Sequence, residues 1–328
     1  MNASIIIPTK NRTKLLEETI SAIFDKQEFR LGKFEVLVVN DGNEEPTAIQ
    51  QKYKEVKVIR NKGAGAAWAR NTGAEYAQYE LLLFIDDDML IAPHCISRHV
   101  ELHQKFNRAL ISGSWEYSPA LVNTLKASSF GRYKLEYDYK SLKGEEKNLL
   151  SPGIYKTNVL ASFNLSILKK DFDEIGGYNT NFPYAGCEDQ ELTMRAMAKN
   201  FQLILDTANI SLHNEKDRAN MNSWLMRQYT GVQGYPLLCD LFPTKKLEPL
   251  YMENGLIRDG DSNDIQRKKK RKHFLSSRFN LSLIKLLTSL LELFRVNDKV
   301  LFRLYKGLGG LYIYKGFYQA EIQLKKTR

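Results

Sequence analysis

The chain has little cysteine: three residues in 328, at Cys95, Cys187 and Cys239. They are odd in number, far apart and in no C-x-x-C spacing. Neither a disulfide framework nor a cysteine-based metal site is expected, and a reduced, cytoplasmic setting is. Long uncharged runs are missing too. The Leu-rich stretch 274–294 is interrupted by Lys285 and Glu292, and a spanning helix needs about 20 largely uncharged residues. The N-terminus has no basic segment followed by a long apolar run, so no secretory signal is expected. No G-x-G-x-x-G follows the first apolar run, which disfavours a dinucleotide-dependent oxidoreductase. No internal repeat is visible.

What the chain does have is Leu81-Leu82-Leu83-Phe84-Ile85 running straight into Asp86-Asp87-Asp88. Five apolar residues read as a buried strand, and isolated buried charges are too costly for three carboxylates to belong to a core. Residues two apart in an extended segment point the same way, so Asp86 and Asp88 are candidates to converge on one ion. Hard oxygen ligands suit Mg²⁺ or Mn²⁺. Standing alone, the same triplet also reads as a solvated acidic loop.

Other apolar strands are expected at Ser4–Pro8, Phe34–Val39, Val56–Ile59, Ala109–Ser112 and Phe201–Leu205. Helical spacing follows Thr13 and covers the Ala-rich stretch 64–79. Strands alternating with helices imply an α/β fold with a mostly parallel central sheet and flanking helices. Ligands of such sheets sit beyond the carboxyl ends of the strands. There the chain places Pro8-Thr9-Lys10-Asn11-Arg12, Asn40-Asp41-Gly42 and the acidic triplet. The aromatic-rich stretch 115–160 is readable either as part of a cleft wall or as a surface excursion.

The net charge of +10 is uneven. From Lys245 to Arg328 there are 19 Lys and Arg against 8 Asp and Glu, so the whole basic excess lies in that quarter. The expected division is a catalytic domain over 1–244 and a basic, amphipathic, mainly helical extension over 245–328. Six consecutive basic residues, Arg267 to Lys272, precede the Leu-rich stretch. An in-plane amphipathic helix beside a polybasic cluster implies an anionic membrane surface. A helical subdomain with a solvated basic loop is the alternative. Nucleic-acid binding through this tail is disfavoured, because no reader motif accompanies the charge.

An ordered set of motifs carries a resemblance over about residues 1–215. It comprises Ser4-Ile5-Ile6-Ile7-Pro8-Thr9-Lys10-Asn11-Arg12, Val38-Val39-Asn40-Asp41-Gly42, Ala69-Arg70-Asn71-Thr72-Gly73 and the acidic triplet. Phe163-Asn164-Leu165-Ser166, Gly176-Gly177-Tyr178 and Gly186-Cys187-Glu188-Asp189-Gln190-Glu191-Leu192 follow. The set resembles the inverting family-2 glycosyltransferases, with the nucleotide-sugar-binding GT-A fold. The resemblance implies that Pro8, Thr9 and Arg12 surround the base and ribose. It implies that Asp41 accepts a hydrogen bond from the base, commonly uracil, and that Arg70 and Asn71 hold the nucleotide side. Asp86 would contact ribose or metal and Asp88 the metal, with the register open by one residue. Asn164 would lie near the donor sugar, and His213 would be a further metal ligand unless it is structural. Asp189 would be the catalytic base, and Glu188 would orient donor or acceptor. On local grounds alone, both acids also suit the first turn of a helix. Trp68, Trp115 and Trp224 are readable as sugar platforms or as core.

The implied activity is transfer from a nucleotide-sugar donor, commonly a UDP-sugar, to a glycan, lipid-linked or peptide acceptor, with Mn²⁺ or Mg²⁺ as cofactor. The implied setting is synthesis of cell-surface polysaccharide or lipid-linked glycan at the inner face of the cell membrane. A nucleotidyltransferase is the second enzyme reading, disfavoured because Pro8 to Arg12 lacks glycine.

Overall fold

The computed structural model describes residues 1–26, 28, 32–139, 148–182 and 184–326. Its first half alternates strands and helices: β1 (Ala3–Thr9), α1 (Thr13–Lys26), β2 (Phe34–Asn40), α2 (Thr47–Lys52), β3 (Val56–Arg60), α3 (Ala66–Tyr76), β4 (Leu81–Ile85), β5 (Met89–Leu90), α4 (Cys95–Lys105) and β6 (Ala109–Tyr117). Next come α5 (Pro119–Lys126), α6 (Ser129–Tyr139), β7 (Leu149–Ser151), β8 (Ile154–Lys156), β9 (Asn164–Leu168), α7 (Lys169–Ile175), α8 (Glu188–Ala198) and β10 (Gln202–His213). The remainder is helical: α9 (Met221–Gly231), α10 (Tyr235–Leu241), α11 (Pro249–Met252), α12 (Asn263–Leu275), α13 (Arg278–Leu293) and α14 (Asp298–Lys326).

Among the described residues ten strands form one sheet, in the order β3-β2-β1-β4-β9-β6-β10-β8-β7, with β5 paired to β10. Neighbours from β3 to β4 are parallel. β9 then enters antiparallel to both β4 and β6, while β6 and β10 are parallel again. The sheet is therefore mixed, with its parallel part where the α/β alternation is clearest. The reversal matters for the site. Asn164 opens β9 opposite Ile85, the last residue of β4, so the chain just before β9 lies at the carboxyl edge.

Strand alternation divides the core between the two faces. Ile5, Ile7, Val36, Val38, Leu83 and Ile85 pack on one side. Ile6, Leu37, Val39, Leu82 and Phe84 pack on the other. Both faces are covered, which is why these strands read as continuous apolar runs rather than alternating ones.

Two compact units emerge. The first is Met1–Pro119, Ser141–Asn181 and Glu188–Glu215, and contains the sheet. The second is Ala120–Lys140, Phe182–Cys187 and Lys216–Arg328. The expected break at 244/245 differs from this division. Charge changes sign there, but packing does not: α9 and α10 pack on α14, where Gly309 leaves room for the Trp224 ring and Gly316 for the Tyr229 carbonyl. The stretch 115–160 is likewise neither cleft wall nor surface excursion as a whole. Phe130 and Tyr133 of α6 are core residues of the second unit, beside Trp224 and Tyr305. Residues 140–147 of that stretch lie outside the described residues.

Candidate active site

Strands β1, β2 and β4 of the parallel half each deliver a polar cluster to the carboxyl edge. After β1, the Thr9 hydroxyl donates to Asp87 Oδ2 at 2.8 Å. Arg12 spans two acids, with Nη1 2.5 Å from Asp87 Oδ1 and Nη2 2.7 Å from Asp88 Oδ2. Asn11, at φ 53°, accepts from the Asn43 and Glu44 amides and so ties the loops after β1 and β2 together. After β2, Asp41 accepts from Asn61 Nδ2 (2.7 Å), the Gly65 amide (3.1 Å) and Lys10 Nζ (3.1 Å). Burial raises the Asp41 pKa, but these donors outweigh it and the group stays below the usual carboxylate range.

The acidic triplet does not behave as an extended strand. β4 ends at Ile85 and the chain turns, with the Met89 amide bonded to the Asp86 carbonyl at 3.1 Å. The alternation rule therefore does not apply to the triplet, and the group formed by Asp88 does not include Asp86. Asp86 instead faces Arg70, whose Nη2 lies 2.9 Å away. Burial pushes the Asp87 carboxyl up to about 7 against the pull of Arg12, with Asp88 adding to the rise.

Asp88 meets a different pair. The ligand atoms of Asp88, His213 and Glu215 all lie within 4.8 Å of one another. His213 Nε2 is 3.3 Å from Asp88 Oδ1 and 3.8 Å from Glu215 Oε2. The ring is edge-on to Trp115 at 5.3 Å and stacked on Tyr117 at 6.0 Å. The Tyr117 hydroxyl donates to Glu215 Oε1 at 2.9 Å. This arrangement follows from β10 being longer than its apolar run. β10 continues to His213, and β5 pairs with its end, setting His213 opposite Met89 just after the acidic turn. Two buried carboxylates and an imidazole facing one another fit a divalent metal ion. Asp86 is not in the cluster. Glu215 is, although sequence reasoning missed it. The signal was present: His213 and Glu215 are two apart at a strand end, the spacing that shares a face.

A second cluster gathers around Arg70, which is 3% exposed. Besides Asp86 it bonds Glu188 Oε1 through Nη1 at 3.1 Å, and that nitrogen is 3.8 Å from Asp189 Oδ1. Its guanidinium lies 5.3 Å from the Tyr178 ring centroid. Three acids from two distant segments thus share one buried cation. Asp189 is also held by Ser162, whose amide donates to Oδ2 at 3.1 Å and whose hydroxyl donates to Oδ1. The Ser162 oxygen is 2.5 Å from the Tyr178 hydroxyl. Burial, with Glu188 adding, pushes the Asp189 carboxyl up to about 7, opposed by Arg70. The Asp189 side chain keeps 19% exposure while that of Glu188 keeps 2%, so only Asp189 is open to a reactant.

Asn71 and Asn164, expected on the donor side, both make hydrogen bonds within the protein. Asn71 Nδ2 donates to the Tyr178 carbonyl and its Oδ1 accepts from the Tyr178 amide, both at 2.8 Å. It clamps the turn after α7, where Gly177 at φ 64° brings its backbone against Asn71 Oδ1. Asn164 is fully buried, accepting from His99 Nε2 at 2.8 Å and donating to Ser211 Oγ at 3.1 Å. It pairs with Ile85, the last residue of β4. Pro8 remains in β1, opposite Val39. Trp224 is core, Trp115 packs on His213, and Trp68 is 38% exposed.

The model of the family described as glycosyl transferase family 2 matches residues 4–171, just over half of the chain. The chain belongs to glycosyltransferase family 2. The validoxylamine A glucosyltransferase of Streptomyces hygroscopicus subsp. jinggangensis (strain 5008) is 24% identical over 269 residues, covering 73% of this chain and 62% of its own. The chondroitin synthase of Pasteurella multocida (strain Pm70) is 25% identical over 242 residues, covering 65% and 24%. The chain thus spans less than two thirds of either curated relative. Among solved structures, the mannosyltransferase PcManGT from Pyrobaculum calidifontis, in complex with GDP-Man and Mn²⁺, superposes with TM-score 0.61 at 14% identity. The match covers 98% of this chain and 87% of that one, and shows the shared GT-A fold.

For this family-2 chain, the placement of Asn71 has a measurable consequence. Asn71→Ala removes two hydrogen bonds to buried backbone and is expected to lower stability by about 1–3 kcal/mol, with nucleotide affinity unchanged. Urea unfolding and calorimetric titration with nucleotide separate the two. Weakened nucleotide binding at unchanged stability would put Asn71 on the donor.

Proposed function

We propose that the chain transfers a sugar from a nucleotide-diphosphate donor, read as a UDP-sugar, to an acceptor hydroxyl with inversion at the anomeric carbon. The observation that carries this reading is Arg70. Its guanidinium joins Asp86 of the acidic turn to Glu188 and Asp189 at the start of α8, tying the metal-side turn to the candidate base. Asp88, His213 and Glu215 would hold the divalent ion. When bound there, the ion supplies charge neutralisation to the departing diphosphate without proton transfer.

The chain's own residues do the rest. Asp41, fixed by three donors and kept ionised, presents acceptor oxygens to the N–H groups of a base. Arg12 holds Asp87 and Asp88 in place, so the turn keeps its geometry before the donor arrives. The acceptor oxygen attacks the anomeric carbon as the bond to the diphosphate oxygen breaks with its electron pair. Asp189 takes the hydroxyl proton. Ser162 fixes the Asp189 carboxylate through both oxygens, and such preorganisation lowers the reorganisation needed during reaction. The acceptor class we favour is a cell-surface or lipid-linked glycan; the chondroitin synthase relative, by its name, supports a glycan acceptor and no more.

The test is a panel of nucleotide sugars incubated with the full chain and Mn²⁺, reading released nucleotide. Release of nucleoside diphosphate from one donor is expected, slow without acceptor. Turnover that instead yields pyrophosphate from a nucleoside triphosphate and a sugar phosphate would contradict the assignment and mark a nucleotidyltransferase.

A further inference from the structure

Helix α12 divides the basic run Arg267–Lys272 between two faces. Lys269 is fully buried and donates to Asp261 Oδ2 at 2.6 Å and to the Leu256 carbonyl at 2.9 Å. Lys272 donates to the Glu253 carbonyl and Asn254 Oδ1, both at 3.1 Å. Lys268 lies 3.3 Å from Glu253 and 3.4 Å from Asp264. Lys269 and Lys272 belong to the internal packing of the second unit, while Lys268 is exposed and pairs with its neighbours at the surface. Arg267, Lys270 and Arg271 are exposed. They recur at i, i+3 and i+4, with Phe274 at i+7, so the four share a helix face. Phe274 is 68% exposed.

Helix α13 continues this pattern with apolar residues. Leu281 and Thr288 are buried on its inner side. On its outer side Phe279, Leu283, Leu286, Leu290 and Leu293 recur at i, i+4, i+7, i+11 and i+14. Phe279 is 77%, Leu286 58% and Leu293 74% exposed. Of the charged residues in α13, Arg278, Lys285 and Glu292, only Arg278 is exposed. Scattered exposed apolar residues are ordinary, but a contiguous apolar helix face marks an interaction surface. Among the described residues no helix is long and apolar enough to cross a membrane.

We propose that the outer faces of α12 and α13 together dock in plane on an anionic lipid bilayer. The apolar face enters the headgroup–acyl boundary, and Arg267, Lys270, Arg271 and Arg278 meet lipid phosphates. The pairing of the two features selects this occupant. Nucleic acid would meet the cations and leave the apolar face uncovered. A second copy would cover the apolar face and bring like charges towards each other. An anionic bilayer satisfies both. The inference does not depend on the reaction proposed above.

The test is flotation of the full chain with phosphatidylcholine vesicles, with and without phosphatidylglycerol. The native chain is expected to float with the anionic vesicles, less so as salt rises, because screening acts on the charged part alone. R267Q/K270Q/R271Q should cut anionic binding on the order of 10²-fold, leaving the smaller preference that Arg278 supplies. F279S/L286S/L290S should lose binding to both. All six side chains point away from the core, so unfolding midpoints should stay at the native value, and a variant that fails this check is replaced by its single substitutions. Absence of native flotation at low salt, or flotation indifferent to both variants, would overturn the proposal. A dimer abolished by F279S/L286S/L290S, with no flotation, would assign the face to a second copy.

Discussion

Asp189→Asn is expected to slow sugar transfer by about 10²–10⁴-fold, the usual contribution of a positioned general base, while nucleotide and metal binding stay near the native level. The substitution suits the site. Asn keeps one carbonyl oxygen to accept from the Ser162 amide. The Ser162 hydroxyl, a donor to Asp189 and 2.5 Å from the Tyr178 hydroxyl, is able to reverse its role and accept from the new amide. Shape is preserved and the proton acceptor is lost. A pH profile adds a readout that a structural role would not move. Burial pushes the Asp189 carboxyl up to about 7, and a base acts only when deprotonated. The native rate should therefore be flat at alkaline pH and fall as pH drops through about 7. Asp189→Asn should lose that limb. If donor affinity collapses together with the rate, Asp189 belongs to the donor pocket instead.

The candidate metal cluster carries the second large effect. Asp88→Ala removes one carboxylate from the group formed with His213 and Glu215, yet leaves Arg12 its pair with Asp87. The fold should persist. Loss of a direct ligand should weaken Mn²⁺ binding by at least about 10²-fold, beyond the 10–100-fold typical of changes to outer hydrogen bonds. Tyr117→Phe removes such an outer bond to Glu215 and should fall in the lower range. Electron paramagnetic resonance of free Mn²⁺ measures both without reference to turnover. Glu215→Gln is the sharper test, because Glu215 enters the site through the fold, with only its spacing from His213 to mark it in the sequence. Native Mn²⁺ affinity in Glu215→Gln would remove it from the site.

Much of the sheet is legible in the chain itself. Strands β1, β2 and β4 are buried on both faces, so they appear as apolar runs that stop at polar residues, and those stops mark the carboxyl edge. The clusters at Thr9–Arg12, Asp41 and Asp86–Asp88 follow from that reading. What the chain does not disclose depends on contacts far apart in sequence. The span of β10 beyond its apolar part rests on its pairing with β6 and β5, and this pairing brings His213 and Glu215 to Asp88. The turn after Ile85 is equally invisible to an alternation rule, so the pairing of Asp86 with Arg70 is not legible in the chain. Asn71 and Asn164 show a further limit. A buried amide that satisfies backbone or neighbouring side chains has the same letter as one that holds a substrate, and only its surroundings distinguish them. The basic run is the same problem in charge. Six adjacent cations look alike, but helix geometry buries Lys269 and leaves Lys270 in solvent. Replacing all six at once would therefore strand Asp261 without its partner and confuse folding with binding.

The most direct test of single displacement with Asp189 as base is stereochemical. Proton NMR of the native chain with its preferred nucleotide sugar, recorded before the released or transferred sugar equilibrates, reports the first anomer formed. The expected result is the anomer opposite to that of the donor, from the start of the reaction and absent in Asp189→Asn. A first-formed product with the donor's own configuration would contradict the account, because it requires two displacements or a front-face mechanism that leaves Asp189 without the assigned role.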